Sequence, residues 1–471
     1  MTEKPERSPS VDTGATSVLP RRYDRKLART LPLSGVVVLA LGVAAPAASV
    51  LAVGPVAMRR LGTGTVLAFS IAALVTVCLA LCWAELGSRY PTSGGVYGLV
   101  ARTLGRWPGF VCLTLHLVAG VVVASALALA CGAALSSVGV AIPPRALALG
   151  VLGAALMIAV LQVRIATGVA VGLLVVELGA LLAVTVVGFT HARRSLGDVL
   201  APRALGDEAA SLAPSAVVAG VALGILAYAG YGAAVVFSEE LRGGRKGVGY
   251  AVLGTALATI VAVAAPMLAA LVAAGNPDEW GDRTPVAMVL EPVTGTATTS
   301  VVTAVLVVAA FNSLVALLME FGRIVFSSAR DNAWPAVVNT ALVRVQEGSR
   351  APAWATLGVG TAAAVLTALS SLAEVVTFAS LVFVVTFGLI TLGSLTDRRR
   401  QGHEVASYRM PWWPLPPVVA LSGVAITAAT QRARDLVIVG AVAGIATLYY
   451  VIYLRRRRDR WVLLAPVKFE R

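Results

Sequence analysis

Apolar runs, each about twenty residues long and set apart by short polar stretches, follow one another from Leu31 to Leu454. A helix of that length crosses the hydrocarbon of a bilayer, about 30 Å thick. The pattern predicts about twelve such spans. They fall near 32–58, 64–86, 108–134, 143–161, 167–190, 214–238, 248–274, 297–326, 353–371, 374–396, 414–430 and 435–454. The expected fold class is therefore an all-α polytopic membrane protein. Its N-terminal 30 residues are polar and basic, without the short apolar core and cleavage site of a signal peptide, and read as a disordered tail.

Two spans break the apolar pattern at matching places. The first carries LALGVAAPAASVL (39–51), with Gly42 and Pro46 at its middle. A proline inside a helix removes a hydrogen bond and clashes with the preceding turn, at a cost of about 3 kcal/mol. The sixth carries ILAYAGYGAAVVFSEE (225–240), with Gly230 and Gly232 between Tyr228 and Tyr231. Breaks separated by five spans are the trace of an inverted repeat, with a binding site near the bilayer midplane. The expected organisation is one transporter domain over 31–455, made of a first repeat at about 31–190 and a second at about 214–396. Extra helices follow at about 414–454, and a basic tail at 456–471.

Composition agrees with this reading. Hydrophobic residues make up 58% of the 471 residues, charged residues 13%, and the mean hydropathy is +0.84. Most of the 38 Lys and Arg residues fall in the tails and alternate connections, which places both termini in the cytoplasm by the positive-inside rule. The net charge of +14 thus reflects topology, and no nucleic-acid partner is implied. The run Arg455–Arg456–Arg457–Arg458 reads as a topology anchor or a contact for anionic lipid heads. Cys78, Cys82, Cys112 and Cys131 all lie in spans and read as small packing residues. The three histidines, His116, His191 and His403, are too scattered for a metal or catalytic cluster. No cofactor or metal is expected. The GGRKG stretch at 243–247 lacks the spacing of a phosphate-binding loop, which argues against ATP-driven pumping.

Three ordered motifs carry a family likeness. AELGSRYPTSGGVYGLVARTLG (84–105) follows the second span, ILAYAGYGAAVVFSEELRGGRKGVGYAV (225–252) covers the sixth, and GRIVFSSARDNAWP (322–335) closes the eighth. With the span count, they resemble the amino acid–polyamine–organocation superfamily, in particular its amino acid permeases, over about residues 30–455. The resemblance implies a leucine-transporter-type fold of five plus five spans and two further helices. Many members carry a Gly-Ser/Ala-Gly element where this chain has GVAAPAAS. Many carry Glu at the position of Gly232, and often Lys where Glu177 stands.

The breaks supply the expected chemistry. Backbone N–H groups at a half-helix N-terminus suit a carboxylate, which selects Ala47, Ala48 and Ser49. Pro46 enforces the break and fits the first turn of a new helix. Carbonyls near Gly42, Val43 and Tyr228 to Gly230 suit a substrate amine. Tyr228 and Tyr231 read either as a gate, as a pocket wall, or as packing. Asn312 and Ser313 on the eighth span read as pocket donors or as partners of a neighbouring helix. Ionisable groups inside the membrane are functional candidates by default. Glu177 has no basic residue in its own span and reads as a proton carrier or as a protonated structural hydrogen bonder. Glu320 is placed to pair with Arg323, and His116 reads as a titrating group or a packed one. Glu85 reads as an acceptor for loop backbone.

The leading expectation is a secondary transporter of the cell membrane. It moves an amino acid or related small amine by alternating access, coupled to protons or to an exchanged solute. The alternative is a polyamine or organic amine carrier, which needs a carboxylate facing the pocket between the breaks. An integral-membrane enzyme or receptor is disfavoured by the lack of a catalytic cluster and of a large soluble domain. Expected partners are the small-molecule substrate, a proton or counter-solute, and membrane lipids. Oligomeric state is not fixed by the sequence.

Overall fold

The computed structural model describes residues 32–90, 95–161, 167–203, 212–237, 241–242, 244–274, 284–344, 352–400 and 407–457. The apolar runs become helices because, in lipid, only a helix satisfies its backbone within one segment. In chain order these are α1 Leu33–Ala44, α2 Pro46–Leu61, α3 Gly64–Arg89, α4 Gly95–Thr103, α5 Arg106–Ser137 and α6 Pro144–Leu161. Next come α7 Thr167–Thr190, α8 Leu196–Leu200, α9 Pro214–Ala227, α10 Ala233–Val236, α11 Arg245–Ala273 and α12 Pro285–Arg330. The series ends with α13 Ala336–Leu342, α14 Ala353–Leu369, α15 Leu372–Arg400, α16 Leu415–Ala429 and α17 Ala433–Tyr449. Among the described residues every regular element is helical. Nine helical stretches are long and apolar enough to cross a bilayer, α1 and α2 counting as one, and α9, α14 and α16 are shorter apolar helices.

The spans match the sequence pattern, with local differences. The eighth span was expected from residue 297, but α12 starts at Pro285 because Gly295, at φ 78°, joins a preceding helical segment to it through a kink. The stretch after the second span, which lies outside the twelve expected spans, forms α4, because Val96, Tyr97, Leu99 and Val100 give it an apolar face to bury. The last span continues past Tyr449 through a wider turn, Tyr450–Leu454, and a tight 3₁₀ turn, Arg455–Arg457.

Burial separates the helices into an inner and an outer set. The α1–α2 pair and α15 are mostly buried, whereas α17 is mostly exposed. Leu74, Val261, Val301, Val437 and Ile445 are all more than 60% exposed. Large apolar side chains turned outward on many helices mark a surface that meets lipid rather than water. Small residues set the closest approaches inside. Gly220 lets α9 approach Leu61 of α2 and Ala68 of α3, and Gly224 lays it against α3, where a Cβ on Gly224 would come within 2.5 Å of the Ala72 Cβ. Such close backbone contact is the usual means of helix association in lipid.

Candidate functional site

The first break is sharp. α1 ends at Ala44, and Ala45 takes a left-handed conformation, φ 51° and ψ 64°, before Pro46 opens α2. Ala45 N–H closes α1 by donating to the Leu41 carbonyl at 3.1 Å. Pro46 has no N–H, so the Gly42 carbonyl loses its helical partner four residues on. A Cβ at Gly42 would meet nothing within 4 Å, so the glycine's side-chain position is open. At the start of α2 the cap residue is alanine, whose side chain cannot accept a hydrogen bond.

The donors of that first turn are shared out. Ser49 N–H turns back to the Ala45 carbonyl at 3.1 Å. Ala47 N–H donates to Glu177 Oε1 at 2.8 Å, a bond that reaches 130 residues along the chain to α7. Glu177 is 4% exposed and Ala47 fully buried. A carboxyl group from another span therefore sits where a half-helix presents its donors. The sequence shows each residue separately, but nothing in its periodicity joins them.

The second break lies directly against the first. α9 ends with Tyr228 N–H donating to Gly224 O at 3.0 Å, and Gly230 then takes φ 107°. Its carbonyl accepts from Ala233 N–H at 3.0 Å as α10 begins. A Cβ on Gly230 would collide with the backbone of Ala44. The two interrupted spans thus touch at the last residue of α1, and only glycine permits both the backbone angle and the contact.

The two tyrosines of the break pack on other helices. Tyr228 is fully buried, its ring edge-on to Phe69 at 5.7 Å and its hydroxyl donating to the Phe69 carbonyl at 3.4 Å. Tyr231 is equally buried and meets Trp83 of α3 and Phe387 of α15 at 6.1 and 5.8 Å. The sequence offered no sign of Trp83 or Phe387 as its neighbours.

The remaining candidates are dispersed. Ser313 on α12 is buried and returns its hydroxyl to Ala309 O at 3.1 Å, while Asn312 beside it is half-buried. Glu320 is half-buried on the same helix, and no ion pair joins it to Arg323 among the described residues, contrary to the expected pairing. The i,i+3 spacing brings two such side chains near each other without dictating contact. His116 on α5 lies against Phe321 of α12, ring centroids 5.0 Å apart. Val43 is half-buried beside Gly42, and Ala48 is buried in the first turn of α2. Glu239 and Glu240 lie outside the described residues. Among the described residues no group of His, Cys, Asp and Glu could hold a metal ion.

A polar clasp lies where α3 and α15 end. Glu85 Oε2 accepts from Arg398 Nη1 at 3.0 Å and from Met410 N–H at 2.9 Å, so it holds loop backbone as expected and an arginine besides. Arg89 pairs with Asp397, which also accepts from Tyr90 Oη at 2.9 Å. Arg398 lies over the Trp413 ring at 5.2 Å. These contacts tie α3, α15 and the segment before α16 together.

A family model described as amino acid permease matches residues 25–454. The branched-chain amino acid permease BcaP of Lactococcus lactis is 25% identical over 390 residues, covering 79% of this chain and 82% of that protein. The methylthioribose transporter of Bacillus subtilis is 23% identical over 418 residues, covering 84% and 87%. Among solved structures, Mhp1, a nucleobase-cation-symport-1 family transporter in a closed conformation with bromovinylhydantoin bound, superposes with a TM-score of 0.54. It is 15% identical, and the match covers 94% of this chain and 96% of that one. The fold is the expected leucine-transporter type, with paired breaks in the first and sixth spans.

Proposed function

This chain belongs to the amino acid permease family, and from that premise we propose that it carries an amino acid with an apolar side chain across the cell membrane. It is a multi-pass secondary transporter and not an enzyme. The observation that carries the proposed substrate is the contact between the two breaks at Ala44 and Gly230, beside the N-terminus of α2. The substrate carboxylate is assigned to the first turn of α2, at Ala47 and Ala48, where the helix dipole and backbone donors favour negative charge. Ser49 N–H is already bonded within that turn and contributes only its position. The ammonium group is assigned to carbonyls at Gly42, Val43 and Tyr228.

The carboxyl bonded at the first break is that of Glu177, and the residues of the break itself, Val43, Ala44, Ala45, Ala47 and Ala48, carry no charge of their own. That suits an apolar amino acid, in keeping with the branched-chain substrates in the name of the Lactococcus relative. In this proposal the repeats at about 31–190 and 214–396 rock against one another, with both termini in the cytoplasm. Transport is coupled to a proton, and Glu177 is the assigned carrier. Glu320 and His116 are secondary candidates.

A second reading is an organic amine carrier, favoured by the carboxyl of Glu177 at the first break. Uptake into proteoliposomes from a mixed pool of labelled amino acids and amines separates the two. Leucine uptake blocked by competing apolar amino acids supports the first; selective uptake of decarboxylated amines overturns it.

A further inference from the structure

The N-terminus of α2 is already capped by a carboxyl group of the chain itself. Its first residue, Pro46, has no N–H, Ser49 N–H returns to Ala45 O, and Ala47 N–H holds Glu177 Oε1. A substrate carboxylate assigned to Ala47 and Ala48 together cannot span both donors while Glu177 holds the first. Resting on the proposed function, we infer that Glu177 is a tethered competitor: its carboxylate and the substrate carboxylate exclude each other at Ala47, so an amino acid binds only as Glu177 swings off. Protonation of Glu177 promotes that release, because a neutral carboxyl accepts from the helix N-terminus more weakly than a carboxylate does.

The surroundings favour this exchange. Among the described residues no cation is paired with Glu177. It is the single ionisable residue of α7. The helices packed against α7 are α1, α2, α11 and α12. α1 carries no ionisable group, and α2 carries only Arg59 and Arg60 in its last turn. α11 carries Arg245, Lys246 and Tyr250 at its start, and α12 carries Glu291, Glu320, Arg323 and Arg330. Among the described residues no hydrogen bond or ion pair joins Glu177 to any of them, and its partner is Ala47 N–H. A displaced carboxylate buried without a partner is costly, so displacement and uptake of one proton occur together. The competitor also sets a substrate rule. A ligand without a carboxylate has nothing to replace Glu177 at the Ala47 donor, so esters and decarboxylated amines bind poorly.

The test uses the full-length chain in proteoliposomes with L-leucine, leucine methyl ester and 3-methylbutylamine as probes. In the wild type, the half-saturating leucine concentration should rise by up to about tenfold per pH unit as Glu177 ionises. Glu177→Gln keeps a neutral acceptor of the same length and should bind leucine with no such slope. Glu177→Asp keeps a titrating group with shorter reach and should retain the slope while binding leucine more tightly. The ester and the amine should not compete in the wild type. A wild-type slope retained in Glu177→Gln, a wild type without any slope, or equal competition by the amine overturns the exclusion. If Glu177→Gln fails to fold, Glu177→Asp and the competition assay decide. A wild type that takes up no amino acid at all overturns the proposed function instead.

Discussion

Glu177 caps a helix that lies 130 residues earlier in the chain: its Oε1 accepts the Ala47 N–H at 2.8 Å. An ordinary cap comes from the residue just before the helix, and here that residue is Ala45, which has no acceptor to give. Removing the carboxyl leaves a buried donor unsatisfied. Glu177→Ala should destabilise the protein by about 1–3 kcal/mol, whereas Glu177→Gln should lose much less. Thermal unfolding of the purified variants measures both.

Gly230 marks the contact between the two breaks. A side chain there faces a left-handed backbone, which costs on the order of 1–2 kcal/mol, and a collision with Ala44. Gly230→Ala should lower uptake by about tenfold or more with the protein still delivered to the membrane. Gly42→Ala, with nothing within 4 Å of the new methyl, should insert without loss of fold. Surface labelling for membrane delivery, run beside uptake, separates the two effects.

The clasp at the ends of α3 and α15 depends on both members of each pair. Breaking a buried ion pair by removing one partner costs about 3–5 kcal/mol, since the other charge is left buried. Glu85→Ala frees Arg398 and the Met410 N–H at once. It should speed hydrogen exchange over Tyr408 and Met410 while leaving α6 and α17 unaffected. Asp397→Ala combined with Arg89→Ala should cost less than the sum of the single changes, as a double-mutant cycle reads directly.

Asp331, just past the end of α12, supplies a pH dependence. Burial pushes its carboxyl up to about 6, against the opposing pull of Arg330 and of a hydrogen bond from Tyr97. A carboxyl raised in the folded state favours the fold while it is protonated. Its contribution is complete below the unfolded value near 3.9 and is lost as pH rises through about 6. The loss is up to about 3 kcal/mol. Asp331→Asn should therefore flatten the decline in melting temperature between these two values, and an unchanged profile would contradict the assignment.

The sequence by itself determined the apolar spans and the two breaks. Each rests on local causes: an apolar run becomes helical in lipid, and Pro46 removes a backbone donor while Gly230 takes a backbone angle that other residues rarely adopt. The unexpected α4 and the early start of α12 depended on packing of short apolar faces and on the kink at Gly295, both weak local signals. What only the tertiary structure decided is how the helices are turned about their axes. That rotation brings Glu177 to Ala47 and lays Tyr228 on Phe69 and Tyr231 on Trp83. In a chain so uniformly apolar, one face of a span resembles another. The facing is set by small residues such as Gly220, Gly224 and Gly230, through contacts made with distant parts of the chain.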